Sequence, residues 1–229
     1  MAQKEISTEP STHLRYEDIA RALARYGFRA RGGFHPDDND NVSGATIILI
    51  GNAGPDMWRA FREIRKTDEA LTLDTWTHRI LDPLGIELGA RVIYPFDGPS
   101  YAPFQRWAVL AESVFSSPIG MSLHGEYGLW HAYRGAFVFT TKIPLPTRDN
   151  LVHPCLSCTE QPCLSTCPVH AFSKNKYDVD ACANQLRRAE GDDCRTLGCR
   201  ARRSCPVGVR FQYEPEQAAF HMAAFLKAR

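Results

Sequence analysis

Short apolar runs alternate with segments of helical spacing through the first part of the chain. Continuous apolar runs of strand length occur at residues 45–50 (ATIILI), 89–94 (GARVIY) and 135–140 (GAFVFT). Apolar residues recur every three to four positions, as on one face of a helix, in residues 17–26, 55–65, 68–84 and 103–115. Residues 29–43 are rich in Gly, Asp and Asn and predict a loop, and residues 51–54 predict a turn. Strands separated by helices indicate a layered α/β fold.

A proline-marked connector, residues 143–147 (IPLPT), divides the chain. We therefore expect two domains, residues 1–147 and residues 148–229, with an overall α/β (α+β) class. The first domain opens on a polar segment, residues 1–14, that predicts a loosely attached arm. The second ends in a predicted helix, whose packed face carries Ala219, Met222, Ala223 and Leu226.

Composition and charge exclude few classes of protein. The chain has 229 residues and a formal net charge of +1, so nothing global demands a nucleic-acid partner. No apolar run approaches the roughly 20 residues needed to span a bilayer, and we expect no membrane partner. The polar N-terminus has no apolar signal-peptide core, so a cytoplasmic protein is expected.

All eight cysteines lie between Cys155 and Cys205. They form two sets of four, and a proline directly follows the last cysteine of each set. The first set is Cys155, Cys158, Cys163 and Cys167, and the second is Cys182, Cys194, Cys199 and Cys205. In a reducing compartment, cysteines at this density favour metal ligation over disulfides.

The cysteine pattern resembles a stretched two-cluster ferredoxin, in which thiolates hold two [4Fe–4S] centres. In those proteins the Cys-Pro cysteine of each run ligates the other centre. The resemblance therefore implies that cluster 1 is held by Cys155, Cys158, Cys163 and Cys205. It implies that cluster 2 is held by Cys167, Cys182, Cys194 and Cys199. The longer spacers here require the inserted residues to bulge outward.

Two zinc sites of four cysteines each are the alternative reading of the same residues. Structural zinc usually uses paired C-x2-4-C knuckles, whereas the first set has one such knuckle and both sets end in Cys-Pro. The spacing favours iron–sulfur clusters over zinc.

Arginines are concentrated around the later cysteines. Between residues 182 and 210 there are seven arginines and three acidic residues, a local balance of 7 − 3 = +4. Such a patch is usually a solvated surface, and here it also lies beside the cluster thiolates. The sharper interpretation is a docking site for an acidic electron donor or for RNA.

The order of segments resembles the iron–sulfur and cobalamin-dependent epoxyqueuosine reductases of tRNA modification. Those enzymes carry an A-G-L-G-W-x-G-K-type segment just before their two-cluster domain. Here Tyr127-Gly128-Leu129-Trp130 and Arg134-Gly135 stand in similar positions. The resemblance covers about residues 45–210 and implies a ferredoxin-like C-terminal domain, with cobalamin or flavin as a possible further cofactor.

Two parts of that family's pattern are missing. The family has an acidic proton donor in a D-[ST]-x-P segment, where this chain reads Phe115-Ser116-Ser117-Pro118. The family's helical-repeat domain has no counterpart after Cys205. We therefore expect a relative of these reductases rather than the same enzyme.

Residues 124–135 are rich in aromatic and histidine side chains. They offer Tyr127 and His131 as candidate proton donors. Candidate cofactor contacts are Tyr94, Gly128, Trp130 and Arg134. Aromatic packing with histidines at its edge explains the same composition.

The sequence thus predicts an iron–sulfur oxidoreductase or electron-transfer protein that passes electrons to a site on the N-terminal domain. A flavodoxin- or ferredoxin-type protein is the expected electron donor. The alternatives are a ferredoxin-like carrier without enzymatic activity and a tRNA-linked or corrinoid-linked reductase. Whether the chain is an enzyme stays open at this level.

Overall fold

A computed structural model describes residues 14–173 and 176–229, so the arm predicted at residues 1–14 lies outside the described residues except for Leu14. Helices and antiparallel sheets are mixed, and the predicted α/β (α+β) class is confirmed. The helices are α1 (Tyr16–Ala24), α2 (Asp56–Arg65), α3 (Leu73–Leu88), α4 (Phe104–Ala111), α5 (Pro162–Ser165), α6 (Val179–Arg187), α7 (Asp192–Leu197), α8 (Arg200–Arg203) and α9 (Pro215–Lys227). The strands are β1 (Arg29–Phe34), β2 (Thr46–Ala53), β3 (Arg91–Ile93), β4 (Val114–Ser116), β5 (Ser122–His124), β6 (His131–Phe139), β7 (Phe172–Ser173) and β8 (Lys176–Tyr177).

The central sheet has the strand order β1-β2-β6-β3, and every neighbouring pair is antiparallel. Strand β2 is buried along its whole length because helices cover both faces of the sheet. Ile48 and Ile50 pack in the core formed with α1, α2 and α3. Ile47 and Leu49 point the other way and pack with α4. This alternation follows from the period of two along a strand.

The prediction of a loop at residues 29–43 is wrong for its first part, because Arg29–Phe34 is an edge strand of the sheet. The glycines that suggested a loop serve a close approach instead. Gly32 has φ of +68°, and a Cβ there would lie 2.3 Å from the carbonyl oxygen of Ala111. The turn predicted at residues 51–54 is also mostly wrong, since β2 continues to Ala53.

Further boundaries differ from the sequence prediction. The helix predicted at residues 68–84 is α3, which begins at Leu73 and ends at Leu88. The helix predicted at residues 103–115 ends at Ala111, and the chain turns into the β4–β5 hairpin. The C-terminal helix α9 is present, but it buries Gln217 and Ala218 and leaves Ala223 exposed. Its Phe220 packs on Trp58 of α2 at 4.9 Å between ring centres. Contacts to the N-terminal core therefore decide which face of α9 is buried.

In the part of the chain that the structure describes, no helix is both long and apolar enough to cross a bilayer.

Candidate functional site

Four cysteines surround a small cavity beneath the β4–β5 hairpin. Cys155, Cys158, Cys163 and Cys205 line this cavity, which has a volume of about 20 Å³. The rest of its wall is mainly apolar and includes Leu123, Leu129, Pro154, Pro162, Pro206 and Val207. These are the four cysteines that the ferredoxin resemblance assigned to cluster 1, so one sulfur arrives from the distant second set.

The other four cysteines surround a second cavity of about 20 Å³. It is lined by Cys167, Cys182, Cys194 and Cys199, together with apolar side chains that include Pro168, Val169, Phe172, Leu186 and Met222. Short helices present these sulfurs: Cys182 lies on α6, Cys194 on α7, and Cys199 directly before α8.

All eight cysteines are free thiols. Within residues 14–173 and 176–229, no three His, Cys, Asp or Glu side chains form a group that could hold one metal ion. The sulfurs of each set instead stand around an apolar cavity. That arrangement suits a compact inorganic cluster with four thiolate ligands in a wall that excludes water.

Burial and crowding disfavour ionised thiols in both sets. Burial raises the pKa of the Cys199 thiol to about 11. Burial likewise raises the pKa of Cys163, and the thiols of Cys205, Cys155 and Cys158 add to the effect. A cationic iron–sulfur core would reverse this preference, because a bound metal favours the thiolate form of its ligands. The donor set therefore fits such a group.

An open cleft of about 680 Å³ lies beside the first cavity. One wall is the turn of the β4–β5 hairpin, Ser116–Gly120, and the other comes from the cysteine region. The cysteine region contributes His153, Cys155, Gln161, Leu164, Lys176 and Tyr177. Cys155 lines both the cleft and the cavity, so little separates the two spaces.

His153 joins the two walls of the cleft. Its Nδ1 accepts the backbone N–H of Cys155 at 3.2 Å. The other ring nitrogen, Nε2, therefore carries the proton and donates to the carbonyl oxygen of Ser116 at 3.2 Å. The ring stacks on Phe115 at 4.7 Å. Both nitrogens are thus committed to holding the first cysteine turn against the hairpin.

A buried polar cluster lies at the end of the central sheet. Arg31 is 1% exposed and donates two hydrogen bonds to the Glu112 carboxylate, at 3.1 and 2.6 Å. Tyr133 also donates to Glu112, and Arg31 donates to the Asn52 carbonyl oxygen at 3.0 Å. The Arg31 guanidinium and the Glu112 carboxylate neutralise each other, whereas either charge buried alone would be strongly destabilising.

Of the candidate proton donors, His131 lies in this polar cluster. Its Nε2 donates to the Ser122 carbonyl oxygen at 3.1 Å, so its Nδ1 accepts from Arg31 at 3.1 Å. Burial first, and then the charge of Arg31, lower the pKa of His131 well below its ordinary value. The imidazole is neutral in this environment.

Tyr127, the other candidate donor, lies at the edge of the cluster. Its ring stacks on His124 at 4.2 Å, and the Arg31 guanidinium lies 4.9 Å from its centre. It lines a surface pocket of about 410 Å³ with Arg29 and Asp56, not the cleft beside Cys155. Burial raises the pKa of its phenol.

Gly128 and Trp130 lie where the two halves of the chain meet. A Cβ on Gly128 would be 1.9 Å from the Val207 carbonyl oxygen, so two backbones touch there. Trp130 is buried beside Tyr213 at 5.5 Å between ring centres. Both positions serve packing of the sheet against the loop that follows Cys205.

The remaining candidates, Tyr94 and Arg134, gather elsewhere. Both lie against Phe96. The ring centres of Tyr94 and Phe96 are 5.3 Å apart, and the Arg134 guanidinium lies 4.7 Å from the Phe96 ring centre. Tyr94 donates to Asp82, and Arg134 pairs with Asp74. The structure therefore does not bring these two together with Tyr127, Gly128, Trp130 and His131.

Most arginines of the predicted basic patch have partners within the protein. Asp193 pairs with Arg200 and Arg203, and Glu126 pairs with Arg210. Arg195 pairs with Asp192. These ion pairs neutralise much of the local positive charge and connect the short helices to their neighbours.

No protein-family model matches the chain, and no curated protein matches it. Among solved structures, epoxyqueuosine reductase from Streptococcus thermophilus aligns over 88% of this chain and 69% of its own, at 14% identity and a TM-score of 0.43. Epoxyqueuosine reductase with an epoxyqueuosine-modified tRNA-Tyr stem loop gives the same coverage, at 17% identity and a TM-score of 0.44. Epoxyqueuosine reductase from Bacillus subtilis aligns at 16% identity and a TM-score of 0.42, and it also covers 88% of this chain and 69% of its own.

Sequence reasoning missed the Arg31–Glu112 pair and the cleft. Arg31 was placed in a predicted loop, and Glu112 in the interior of a predicted helix. The two residues are 81 positions apart, so no local spacing connects them. The Ser116-Ser117-Pro118 segment, which lacks the acid of the reductase pattern, lines the cleft opposite the cysteine region.

Proposed function

We propose that this chain is an iron–sulfur electron-transfer protein that holds two [4Fe–4S] clusters and delivers electrons to a molecule bound in the cleft. The observation that carries the proposal is the shared wall: Cys155, Ser117 and Gln161 line both the cleft and the first cysteine cavity. When bound, a cubane of this kind accepts and releases single electrons.

The chain's own residues have separable roles in this proposal. The two sets of cysteines would hold the clusters, and the surrounding leucine, valine and proline side chains would exclude water from them. His153 would keep the first cysteine turn against the cleft. Ser116, Gln161 and Lys176 would bind polar groups of the occupant.

The decisive test is the metal content of protein prepared or reconstituted without oxygen. We expect about eight iron and eight sulfide ions per chain, with a broad brown absorption band, as two cubanes require. Two zinc ions without acid-labile sulfide would end the proposal. Iron without sulfide would contradict the cluster type.

A carrier that only docks with other proteins is the second candidate. It is favoured by the exposed apolar side chains next to the first cysteine turn, since Val152 and Leu156 are each 77% exposed. A flavodoxin- or ferredoxin-type protein is the proposed partner. Electron exchange with such a partner, together with no binding of any small molecule in the cleft, would favour the carrier.

Cobalamin or flavin would be a further cofactor of the cleft. Both nitrogens of His153, the histidine of the cleft, are committed, so it cannot ligate cobalt without breaking the contact between the walls. Titration of the holoprotein with cobalamin and with FMN, followed by absorbance, would detect either one.

A tRNA-linked reductase would need the arginines of the basic patch to bind the phosphates of the RNA. Pairing of Arg195, Arg200, Arg203 and Arg210 with acidic side chains leaves less positive charge for phosphates. We therefore rank this activity below the cleft reaction. Salt-sensitive binding of tRNA by the holoprotein would reverse that ranking.

A further inference from the structure

The cleft beside Cys155 offers charge of one sign to an occupant. Among the described residues that line it, Lys176 is the one basic side chain besides His153, and no aspartate or glutamate occurs. Both ring nitrogens of His153 are used in hydrogen bonds to backbone groups. Lys176 is exposed and forms no ion pair with any residue that the structure describes. The cleft therefore presents one free ammonium group and no competing carboxylate.

A neutral hydrogen-bond donor lies where the cleft meets the first cysteine cavity. Ser117 lines both spaces and is 7% exposed. Its hydroxyl oxygen accepts the Met121 N–H at 3.1 Å. Within residues 14–173 and 176–229, the hydroxyl hydrogen has no acceptor of its own. A buried donor without an acceptor is costly, so this hydroxyl favours an occupant that accepts hydrogen bonds.

Gln161 has a backbone conformation that is unfavourable for glutamine. Its φ is +41° and its ψ is +55°, in the left-handed region that glycine adopts without strain. Its side-chain amide forms no hydrogen bond with the residues that the structure describes, although it lines both the cleft and the first cavity. The local fold therefore does not account for a glutamine here. Strained backbone of this kind is concentrated at functional sites.

One side of the cleft is apolar and suits a flat ring. Phe172 covers one face of Tyr177, with 4.7 Å between the ring centres and 14° between their planes. Tyr177 is nevertheless 38% exposed and lines the cleft, so part of its ring is open to an occupant. Pro118, Ile119 and Leu164 add apolar surface. The cleft volume of about 680 Å³ is typical of sites for small molecules.

We propose that the cleft binds a small flat molecule with one acidic group, a carboxylate or a phosphate: Lys176 pairs with the acid, Gln161 donates its amide to it, and Tyr177 contacts the ring. This inference rests on the proposed function and gives the class of molecule that receives electrons there. A cluster with four thiolate ligands is negative overall and repels a nearby anion. Lys176 supplies the compensating charge and therefore decides the charge selectivity of the cleft.

The test compares three molecules that share a nitrophenyl ring and differ in charge. Para-nitrobenzoate carries a carboxylate, para-nitrophenyl phosphate carries a phosphate, and para-nitrobenzamide is neutral. Equilibrium dialysis measures the affinity of the oxidised holoprotein for each molecule. We expect one of the two anions to bind about tenfold more tightly than the amide, and the tighter anion identifies the acid.

Lys176→Gln should remove this selectivity. We expect the affinity for the preferred anion to fall about tenfold, while the affinity for para-nitrobenzamide stays unchanged. Lys142→Gln is the matched control, because Lys142 is exposed and does not line the cleft. It changes the net charge equally and should keep the affinities of the wild type.

Gln161→Gly tests the amide separately. Glycine removes the backbone strain, so we expect unchanged iron content and equal or greater resistance to urea, together with roughly fivefold weaker binding of the anion. A structural role of Gln161 alone would instead reduce stability and leave the affinity unchanged.

Three results would overturn the inference. They are equal affinities for the three molecules, no binding of any of them, and an anion affinity that Lys176→Gln leaves unchanged. Binding to the oxidised protein needs no electron transfer, so it is independent of the redox reaction. Iron and sulfide counting on the same sample tests the proposed function, and two zinc ions in place of clusters would contradict that function whatever the affinities.

Discussion

The guanidinium of Arg202 lies 4.5 Å from the ring centre of Trp130 and donates to the Leu129 carbonyl oxygen at 2.6 and 3.1 Å. Its other side faces Tyr213, at 4.4 Å. Arg202 comes from the short helix before Cys205, whereas Trp130 precedes the central strand β6. This one contact therefore fastens the cysteine region to the sheet.

Replacing Arg202 with alanine should weaken that attachment. The change removes a cation–π contact between two buried rings and leaves the Leu129 carbonyl oxygen without its donor. We expect a loss of about 2–3 kcal/mol in the free energy of unfolding. Urea unfolding of the holoprotein, followed by tryptophan fluorescence, measures this loss.

Arg187→Ala is the control for Arg202→Ala. Arg187 is exposed, and in the described residues it contacts Asn184 at 3.4 Å but forms no ion pair. We expect a change within about 0.5 kcal/mol. Equal effects of the two substitutions would contradict a special role for Arg202.

Gly128 should not tolerate a side chain. Alanine there would place its Cβ 1.9 Å from the Val207 carbonyl oxygen, and its φ of +59° is already unfavourable for alanine. We expect a loss of roughly 3 kcal/mol or more, because the two backbones must separate. Thermal unfolding and iron retention of the holoprotein report the damage.

Gly89 provides the matched control for Gly128. It has φ of +70°, and nothing lies within 4 Å of the position of an added Cβ. Gly89→Ala should therefore cost about 1–2 kcal/mol, the price of the backbone conformation alone. If both variants lost the same stability, the contact between Gly128 and Val207 would not be the cause.

Single-cysteine substitutions should each remove one cluster. Cys158→Ser acts on the first set and Cys199→Ser on the second, so each protein should retain about half of the wild-type iron and sulfide. Because cluster binding is coupled to folding, the C-terminal half should also lose stability. Anaerobic iron and sulfide analysis checks the result.

Ser157→Ala serves as the neighbouring control for the cysteine substitutions. Ser157 is exposed and its hydroxyl donates only to the Pro154 carbonyl oxygen among the described contacts. It should keep its full iron content. Full iron content in both cysteine variants would refute the ligand assignment.

His124 should make stability depend on pH. Burial, followed by the charge of Arg31, lowers its pKa to about 4, from an ordinary value of about 6.5. The nearby Glu112 does not reverse this, because Arg31 and Tyr133 already satisfy its carboxylate. Between these two pKa values the unfolded chain binds more protons than the folded one, so stability falls as pH falls from 6.5 towards 4.

The test substitution at this position is His124→Asn. The His124 Nδ1 accepts the N–H groups of Glu126 and Tyr127 at 3.0 and 3.2 Å, and an asparagine oxygen can accept them too. The variant should show a shallower fall in unfolding free energy with decreasing pH than the wild type. His35→Asn, at an exposed position, should keep the wild-type slope. Identical slopes for His124→Asn and wild type would reject the assignment.

The sequence predicted the elements whose signal is local. The apolar run at residues 45–50 became the buried centre of β2, and helical spacing located α1, α2 and α9 within a few residues. It failed at β1, because Gly32 and Gly33 look like loop residues until Ala111 is brought against them. Edge strands of this kind are held by partners, not by their own propensity.

The sequence by itself determined the eight sulfurs, their two sets of four and the Cys-Pro endings, since ligand chemistry resides in residue type and short spacing. The resemblance to two-cluster ferredoxins predicted which four sulfurs belong together, and the structure places those same four around each cavity. Only the tertiary structure decided that Arg31 meets Glu112 and that a cleft opens beside Cys155. Each of these depends on contacts between segments far apart in the chain. Such contacts arise from how helices and strands pack together, and no local pattern of residues encodes them separately.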